Sequence, residues 1–197
     1  MSEVAVVGIR TSKTEIVDLL KSWLAITIAF TIASTGLQLG VSTIPVLLIS
    51  ALAVATAFIL HELGHKFVAQ HFGCFAEFRS FDAMLLLAVA LSVTGFIFAA
   101  PGAVMISGMV TRRENGIISV AGPLTNYVLA AIFWVLILAL PAYATIWGRC
   151  FIINAWIGLF NMIPFGNFDG IKIFHWNYYV WTAMVALGIA FLFIMPF

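Results

Sequence analysis

The stretch His61-Glu62-Leu63-Gly64-His65 decides how the rest of this sequence is interpreted. It follows directly on residues 22–60, which contain no charged side chain. On a helix, positions i and i+4 share one face, so His61 and His65 can reach one metal ion while Glu62 projects beside them. An ionisable side chain inside a membrane costs about 2.5 to 3.5 kcal/mol and rarely persists without a partner or a task. The pattern therefore predicts a metal site, with a base beside it, inside a membrane-spanning helix.

The composition is that of an integral membrane protein. Hydrophobic residues make up 63% of the chain and charged residues only 9%, whereas soluble domains are about a quarter charged. The formal net charge of +1 offers no basic surface for DNA or RNA, so no nucleic-acid partner is expected. The first 21 residues mix acids and bases and lack the pattern of a cleaved signal, so the first span is expected to be retained.

The apolar stretches predict an all-α, multi-pass bundle of about five to six transmembrane helices. Ser12-Lys13-Thr14-Glu15 fits a capping box, so the first helix should run from Lys13 to about residue 34. A second helix should run from about residue 44 through the histidines to His71 and end at Gly73. Further uncharged stretches cover residues 83–111, 115–148, 150–168 and 173–197. We expect one domain over residues 1–197, with its core in residues 44–172.

The distribution of basic residues predicts the topology. Basic residues favour the cytoplasmic side of a membrane in short loops. If the N-terminus is cytoplasmic and residues 83–111 return to the side from which they entered, every basic residue except Arg149 lies on that side. A re-entrant or β element is therefore expected in residues 83–111, broken near Gly95 and at Pro101-Gly102. This topology also brings the end of a helix over residues 150–165 to the depth of His61 and His65.

A catalytic zinc ion takes three protein ligands, so one ligand is still needed. The acids that follow the motif are Glu77, Asp82, Glu114 and Asp169. The first three have charged neighbours in expected loops, which favours solvated positions. Asp169 stands alone after Pro164 and Gly166, which should end the preceding helix, and Gly170 permits a tight turn towards the bundle. The alternative is that Asp169 only begins an interfacial turn beside Lys172.

Three motifs in order resemble the site-2 protease family of intramembrane zinc metalloproteases. They are His61-Glu-Leu-Gly-His65, Gly122-Pro-Leu-Thr-Asn126, and Asn161-x-x-Pro164 continued by Asp169-Gly170. The resemblance covers most of the chain from His61 to Gly170. It implies a compact member without a PDZ or other regulatory domain, because no soluble stretch here is long enough for one. Residues 167–168 and Lys172 stand where many relatives have proline-rich sequence and an arginine.

The resemblance implies a set of site residues. His61, His65 and Asp169 would bind one zinc ion per chain, and Glu62 would act as general base. The reaction would be hydrolysis of a peptide bond in or near the membrane segment of a single-span protein, with the lipid bilayer as surroundings.

The resemblance also implies a place for the substrate. Asn161 would hold substrate or transition state near the metal, and Asn126 is a second such candidate, with an interhelical amide bond as its alternative role. Residues 99–108 are similar to the family's short β element, on whose edge an extended substrate would lie. Gly102, Ala103 and Val104 are the residues expected to contact the substrate there.

Two other classes of protein remain as alternatives. A membrane metalloprotease whose third ligand is a later glutamate does not fit, because no glutamate follows Glu114. The chain could instead be a membrane metal-binding or transport protein without protease activity. A transporter should carry acids or histidines on several spans along a path, whereas this sequence concentrates them at one place. We expect a multi-pass protein of the cell membrane, and the sequence predicts no oligomeric state.

Overall fold

Long apolar helices form the body of the protein. The computed structural model describes residues 3–6, 9–38, 40–97 and 101–194 of the 197-residue chain. The long helices are α1 (Lys13–Thr35), α2 (Thr43–Val54), α3 (Leu60–His71), α5 (Arg112–Ala139), α6 (Ala144–Phe160) and α8 (Tyr178–Ile194). A π-helical turn, Ala55–Ile59, joins α2 to α3 without a break. The short helices are α4 (Asp82–Ser92) and α7 (Asp169–Trp176), and a 3₁₀ turn, Pro141–Tyr143, precedes α6.

Three helical segments are long and apolar enough to cross a membrane: Lys13–Thr35, Thr43–His71 and Arg112–Ala139. Helices α6 and α8 have 17 residues each, which gives about 25 Å, at the lower limit for a span. The described residues thus fit the expected helical membrane bundle, and the count of five to six spans stays a prediction. Helix α5 is central, because it packs against α3, α6 and α7.

Side-chain caps start helices α1 and α5. Ser12 Oγ accepts a hydrogen bond from the Glu15 N–H at 3.2 Å, so α1 begins at Lys13 as predicted. The Glu15 carboxylate accepts from Thr11 instead of completing the expected capping box. A reciprocal box does form between Thr111 and Glu114 and starts α5, which is the helix that carries the Gly-Pro motif.

Two antiparallel hairpins accompany the helices. Strands β1 (Glu3–Val6) and β2 (Ile9–Ser12) pair before α1, and β3 (Phe75–Ser80) pairs with β4 (Gly102–Ser107). Strand β4 is the β element expected before α5, although Ala99 and Ala100 of the predicted stretch lie outside the described residues. The sequence did not predict β1, β2 and β3, and the chain otherwise fits the expected all-α membrane class. Strand β3 forms because β4 returns beside it and supplies its hydrogen-bonding partners.

The chain between β3 and β4 leaves the sheet and returns to it. Helix α4 has 11 residues, or about 16 Å, which cannot cross a hydrocarbon core of about 30 Å. Gly95, at φ 80°, turns the chain after α4. The Phe81 N–H then donates to the Pro101 carbonyl at 2.9 Å. The chain thus turns near Gly95 and returns to the sheet that it left, while the re-entrant membrane topology predicted for residues 83–111 stays a prediction.

Three predicted helix boundaries are wrong. Helix α6 begins at Ala144 instead of residue 150. Helix α6 ends at Phe160 instead of residue 165, because Pro164 lacks an N–H and disfavours helical backbone just before it. The apolar stretch 173–197 is broken at Asn177, which has extended backbone between α7 and α8. Its side-chain oxygen accepts from the Tyr179 and Val180 N–H groups and so caps α8.

Candidate metal centre

Three ligand-type side chains converge inside the bundle. His61 and His65 lie one turn apart on α3, and Asp169 is the first residue of α7. The Nε2 atoms of the histidines are 3.0 Å apart, and Asp169 Oδ2 lies 3.0 Å from His65 Nε2 and 3.5 Å from His61 Nε2. All three residues are at most 7% exposed. Among the described residues, this is the group of histidine, cysteine and acidic side chains close enough to hold a metal ion.

The hydrogen bonds around the histidines show that the group fits a cation. His65 Nδ1 lies 2.8 Å from the Ile118 carbonyl, which can only accept, so this nitrogen carries the proton. His61 Nδ1 lies 2.6 Å from Asn126 Oδ1 and is a donor for the same reason. Both Nε2 atoms therefore direct lone pairs at each other and at a carboxylate oxygen. Their spacing matches three ligands around zinc, whose bonds of about 2.1 Å place neighbouring ligand atoms about 3.4 Å apart.

Asn126 is held in place by two further helical segments. Its side-chain nitrogen donates to the Ala57 carbonyl at 2.8 Å, within the π-helical turn, and to Asn154 Oδ1 at 3.1 Å, on α6. The residue has 0% exposure, and it does not line the cavity described below. These hydrogen bonds fit its alternative role, an interhelical amide, and contact between Asn126 and substrate stays a prediction. Through its hydrogen bond, Asn126 fixes the orientation of the His61 ring.

Two motif glycines bring α3 and α5 together. A Cβ atom on Gly122 would overlap the Nε2 atoms of both His61 and His65. A Cβ atom on Gly64 would lie 2.8 Å from Thr125 Oγ1 and 3.0 Å from the Ala121 carbonyl. The backbone of α5 therefore forms one wall of the metal centre. Its close approach to α3 requires glycine at Gly64 of α3 and at Gly122 of α5.

A short loop places Asp169 opposite α3. Residues 161–168 leave α6 and turn at Gly166, which has a positive φ of 64°. The Gly170 N–H then donates to the Asn161 carbonyl at 2.7 Å, which fixes the start of α7 against the end of α6. Lys172 Nζ lies 3.4 Å from Asp169 Oδ1, the carboxylate oxygen that faces away from the histidines. The Asp169 carboxylate thus has Oδ2 towards the histidines and Oδ1 towards the ammonium group of Lys172.

A cavity of about 90 Å³ adjoins the three ligands. Three residues expected at the substrate, Gly102, Ala103 and Val104, line it, as do Glu62 and Asn161. Ile106, of the same expected β element, also lines it, together with four residues that the sequence did not indicate as site residues: Ile118, Ser119, Asn167 and Lys172. The signal for Lys172 was its position three residues after Asp169 on a helix, and Asn167 was noticed only as a departure from the family pattern.

One edge of β4 is free beside this cavity. The Phe78 N–H donates to Glu15 and the Ala76 carbonyl accepts from Gln70, so the backbone polar groups of both residues point away from β4. Val104 and Ile106 are the register partners of these residues on β4, so their backbone N–H and C=O groups must point away from β3. Within the described residues no strand pairs with that edge of β4, and both residues line the cavity.

The other candidate acids lie away from the metal centre. Glu77, expected on a solvated surface, is only 6% exposed, because it forms an ion pair with Arg79 within β3. Asp82 is exposed and pairs with Lys21 at 2.6 Å, and Glu114 caps α5. Among the acids after the histidine motif, the structure therefore brings Asp169 to His61 and His65.

The chain is similar to a protein of Methanocaldococcus jannaschii whose printed name is "Putative zinc metalloprotease MJ0611". The two sequences are 40% identical over 193 residues, which cover 95% of this chain and 97% of the relative. No protein-family model and no solved structure matches the chain. The similarity covers the helix with the two histidines, the Gly-Pro helix and the segment that carries Asp169.

Proposed function

The chain belongs to the family of this archaeal zinc metalloprotease, and we propose that it is a zinc-dependent protease that cuts its substrates within the membrane. The cofactor is zinc, for which His61, His65 and Asp169 form the candidate site. The proposed type is that of the site-2 proteases, which the three sequence motifs resemble. The proposed location is the cell membrane, with the N-terminus in the cytoplasm.

The single observation that carries this proposal is the composition of the cavity. One space of about 90 Å³ is bordered by the three ligand residues, by a glutamate and by the free edge of a strand. The ligand helix is part of a segment, Thr43–His71, that is long and apolar enough to span a membrane. These features support a hydrolytic metal site that would combine a base and a place for an extended peptide at membrane depth.

The protein's own groups divide the chemistry among them. When bound, zinc polarises a carbonyl group and makes a nearby water molecule more acidic. Glu62 borders the same cavity and would accept the proton of the attacking water, then deliver it to the nitrogen of the departing amine. Asn126 and the Ile118 carbonyl hold the two imidazoles in the tautomer that leaves both Nε2 atoms free. Asn161 and Lys172 supply donors at the cavity wall, where the carbonyl oxygen would gain negative charge.

The free edge of β4 would receive the substrate. A transmembrane helix hides its carbonyl groups in hydrogen bonds, so a segment must unwind before water can attack it. Pairing with the outward polar groups of Val104 and Ile106 would replace the lost backbone bonds and hold the segment extended. Glu62 and this edge border one cavity, which would place a paired peptide bond next to the base.

Cleavage of a membrane substrate by purified protein tests the proposal. A single-span substrate reconstituted with the wild type should be cut, and Glu62→Gln should retain zinc yet lose cleavage by at least about 100-fold. The Glu62→Gln substitution keeps the size of the side chain and all three ligands, so a loss of cleavage relative to wild type reports on the carboxylate alone. Zinc-loaded wild type that cuts no membrane substrate would favour the metal-binding or transport alternative. Equal cleavage by Glu62→Gln would show that another group is the base.

A further inference from the structure

A buried ion pair joins the metal-ligand helix to the start of α1. Lys66 directly follows the ligand His65, and its Nζ bonds Glu15 Oε2. Lys66 is 2% exposed and Glu15 is 1% exposed. Desolvation of two charges is costly, so such a pair adds little net stability compared with apolar side chains. A buried, hydrogen-bonded pair does, however, define one relative position for the elements that it joins.

The same carboxylate also holds strand β3. Glu15 Oε1 accepts from the Phe78 N–H at 3.1 Å, and Oε2 accepts from Thr11 Oγ1 at 2.6 Å. In the part of the chain that the structure describes, no strand pairs with that side of β3, so Glu15 closes the outer edge of the sheet. One side chain therefore connects α3, through Lys66, to the backbone of β3.

This connection links Glu62, the proposed base, to the β4 edge, where the substrate is proposed to bind. Glu62 and Lys66 are four residues apart on α3 and so share one face of the helix. Phe78 stands opposite Val104 in the β3–β4 register. The proposed base and the proposed substrate edge are thus linked by a short path, from Glu62 along one helical turn to Lys66, then through Glu15 and Phe78 to Val104.

We propose that Glu15 and Lys66 are positioning residues that set the location of the β4 edge relative to Glu62, and hence which peptide bond of a substrate is cut. This inference rests on the proposed function, because it needs the β4 edge to hold the substrate and Glu62 to act as base. Neither side chain lines the cavity, so both act through the strands and the helix.

The test is a map of cut positions for the double variant Glu15→Gln/Lys66→Met. It removes both charges together, keeps the volume of the two side chains, and leaves an oxygen for the Phe78 N–H. We expect zinc content near that of the wild type, nearly unchanged KM, and kcat lowered about 10- to 100-fold, because displacement by about 1 Å can cost that much. Mass spectrometry of the products should also show new cut positions one or two residues from the original one.

The cut position separates positioning from a purely structural role. A smaller folded fraction lowers the rate but cannot move the cut. If the double variant does not fold, Glu15→Asp is tested instead. This substitution keeps the charge and shortens the side chain by one methylene group, so it should also shift the cut. The matched control is Lys21→Met/Asp82→Asn, which removes an exposed ion pair that does not contact α3 and should leave the cut in place.

An unmoved cut in a folded, zinc-loaded double variant would overturn the inference, whatever its kcat. If the double variant does not fold, an unmoved cut in Glu15→Asp would overturn it. Glu62→Gln is measured in parallel with the same substrate. Loss of cleavage in Glu62→Gln together with an unmoved cut in the positioning variants would leave the proposed function intact and reject only this inference.

Discussion

His61 Nδ1 lies 2.6 Å from Asn126 Oδ1, and this contact joins the ligand helix to the Gly-Pro helix at 0% exposure of the asparagine. The asparagine nitrogen is bonded to the Ala57 carbonyl and to Asn154, so the amide cannot turn round without breaking two bonds. The contact therefore fixes both the orientation and the tautomer of one ligand. The asparagine of the Gly-Pro motif therefore acts on the metal centre indirectly, by holding the ligand His61.

Asn126→Ala should weaken zinc binding about 10- to 100-fold, the usual effect of losing a group that orients a metal-bound histidine. Competition with a fluorescent chelator measures the affinity. Asn154→Ala is the matched control, because it removes a neighbouring amide that does not contact His61, and it should have a smaller effect. Equal zinc affinity in wild type and Asn126→Ala would contradict the assigned role.

Gly122→Ala should prevent tight zinc binding, because the new methyl group would occupy the position of the histidine Nε2 atoms. We expect at least a 100-fold loss of affinity, measured by metal analysis of the purified protein after dialysis. Gly148→Ala provides the control in α6, since a Cβ atom there meets nothing within 4 Å. A zinc-loaded, active Gly122→Ala variant would show that the α5 wall can move away.

Zinc should stabilise the folded protein through Asp169. Without a cation, three lone-pair atoms face one another at 3.0 to 3.5 Å. Free zinc at 100 times its dissociation constant should add about 2.7 kcal/mol, seen as a rise in the thermal midpoint that a chelator reverses. Asp169→Ala should lose both bound zinc and this rise. An undiminished rise in Asp169→Ala would mean that a different group is the third ligand.

Val104→Pro should raise KM about tenfold while zinc and the β3–β4 ladder are retained. The Val104 N–H points to the free edge, so proline removes a donor for the substrate and none for β3. One net backbone hydrogen bond contributes about 0.5 to 1.5 kcal/mol. Val104→Ala keeps the N–H and should have nearly normal KM. A normal KM for Val104→Pro would place the substrate elsewhere.

The elements that the sequence predicted best carry local signals. The spacing of His61 and His65 is a helical repeat, and Asp169 stood out because it is isolated in apolar sequence. The distribution of basic residues predicted that the chain returns around Gly95, and it does return there to the sheet. In each case neighbouring residues carry the information, and the structure brings the predicted ligand residues together.

The parts that were missed depend on distant partners. Strand β3 contains Glu77 and Arg79, which resemble a solvated loop until their mutual ion pair is known. Glu15 and Lys66 lie 51 residues apart in sequence, so no local pattern shows that they meet. The role of Asn126 depended in the same way on a histidine 65 residues away.

The hydrogen bond between Phe81 and Pro101 closes the excursion through α4 at its base. The two strands are already in register at that point, with Ser80 opposite Gly102. The length of the excursion is therefore independent of the geometry of the sheet, much as a hairpin loop can vary while its stem is conserved in shape. Segments of different length or sequence could therefore be exchanged between β3 and β4 without changing which residues of the two strands are paired.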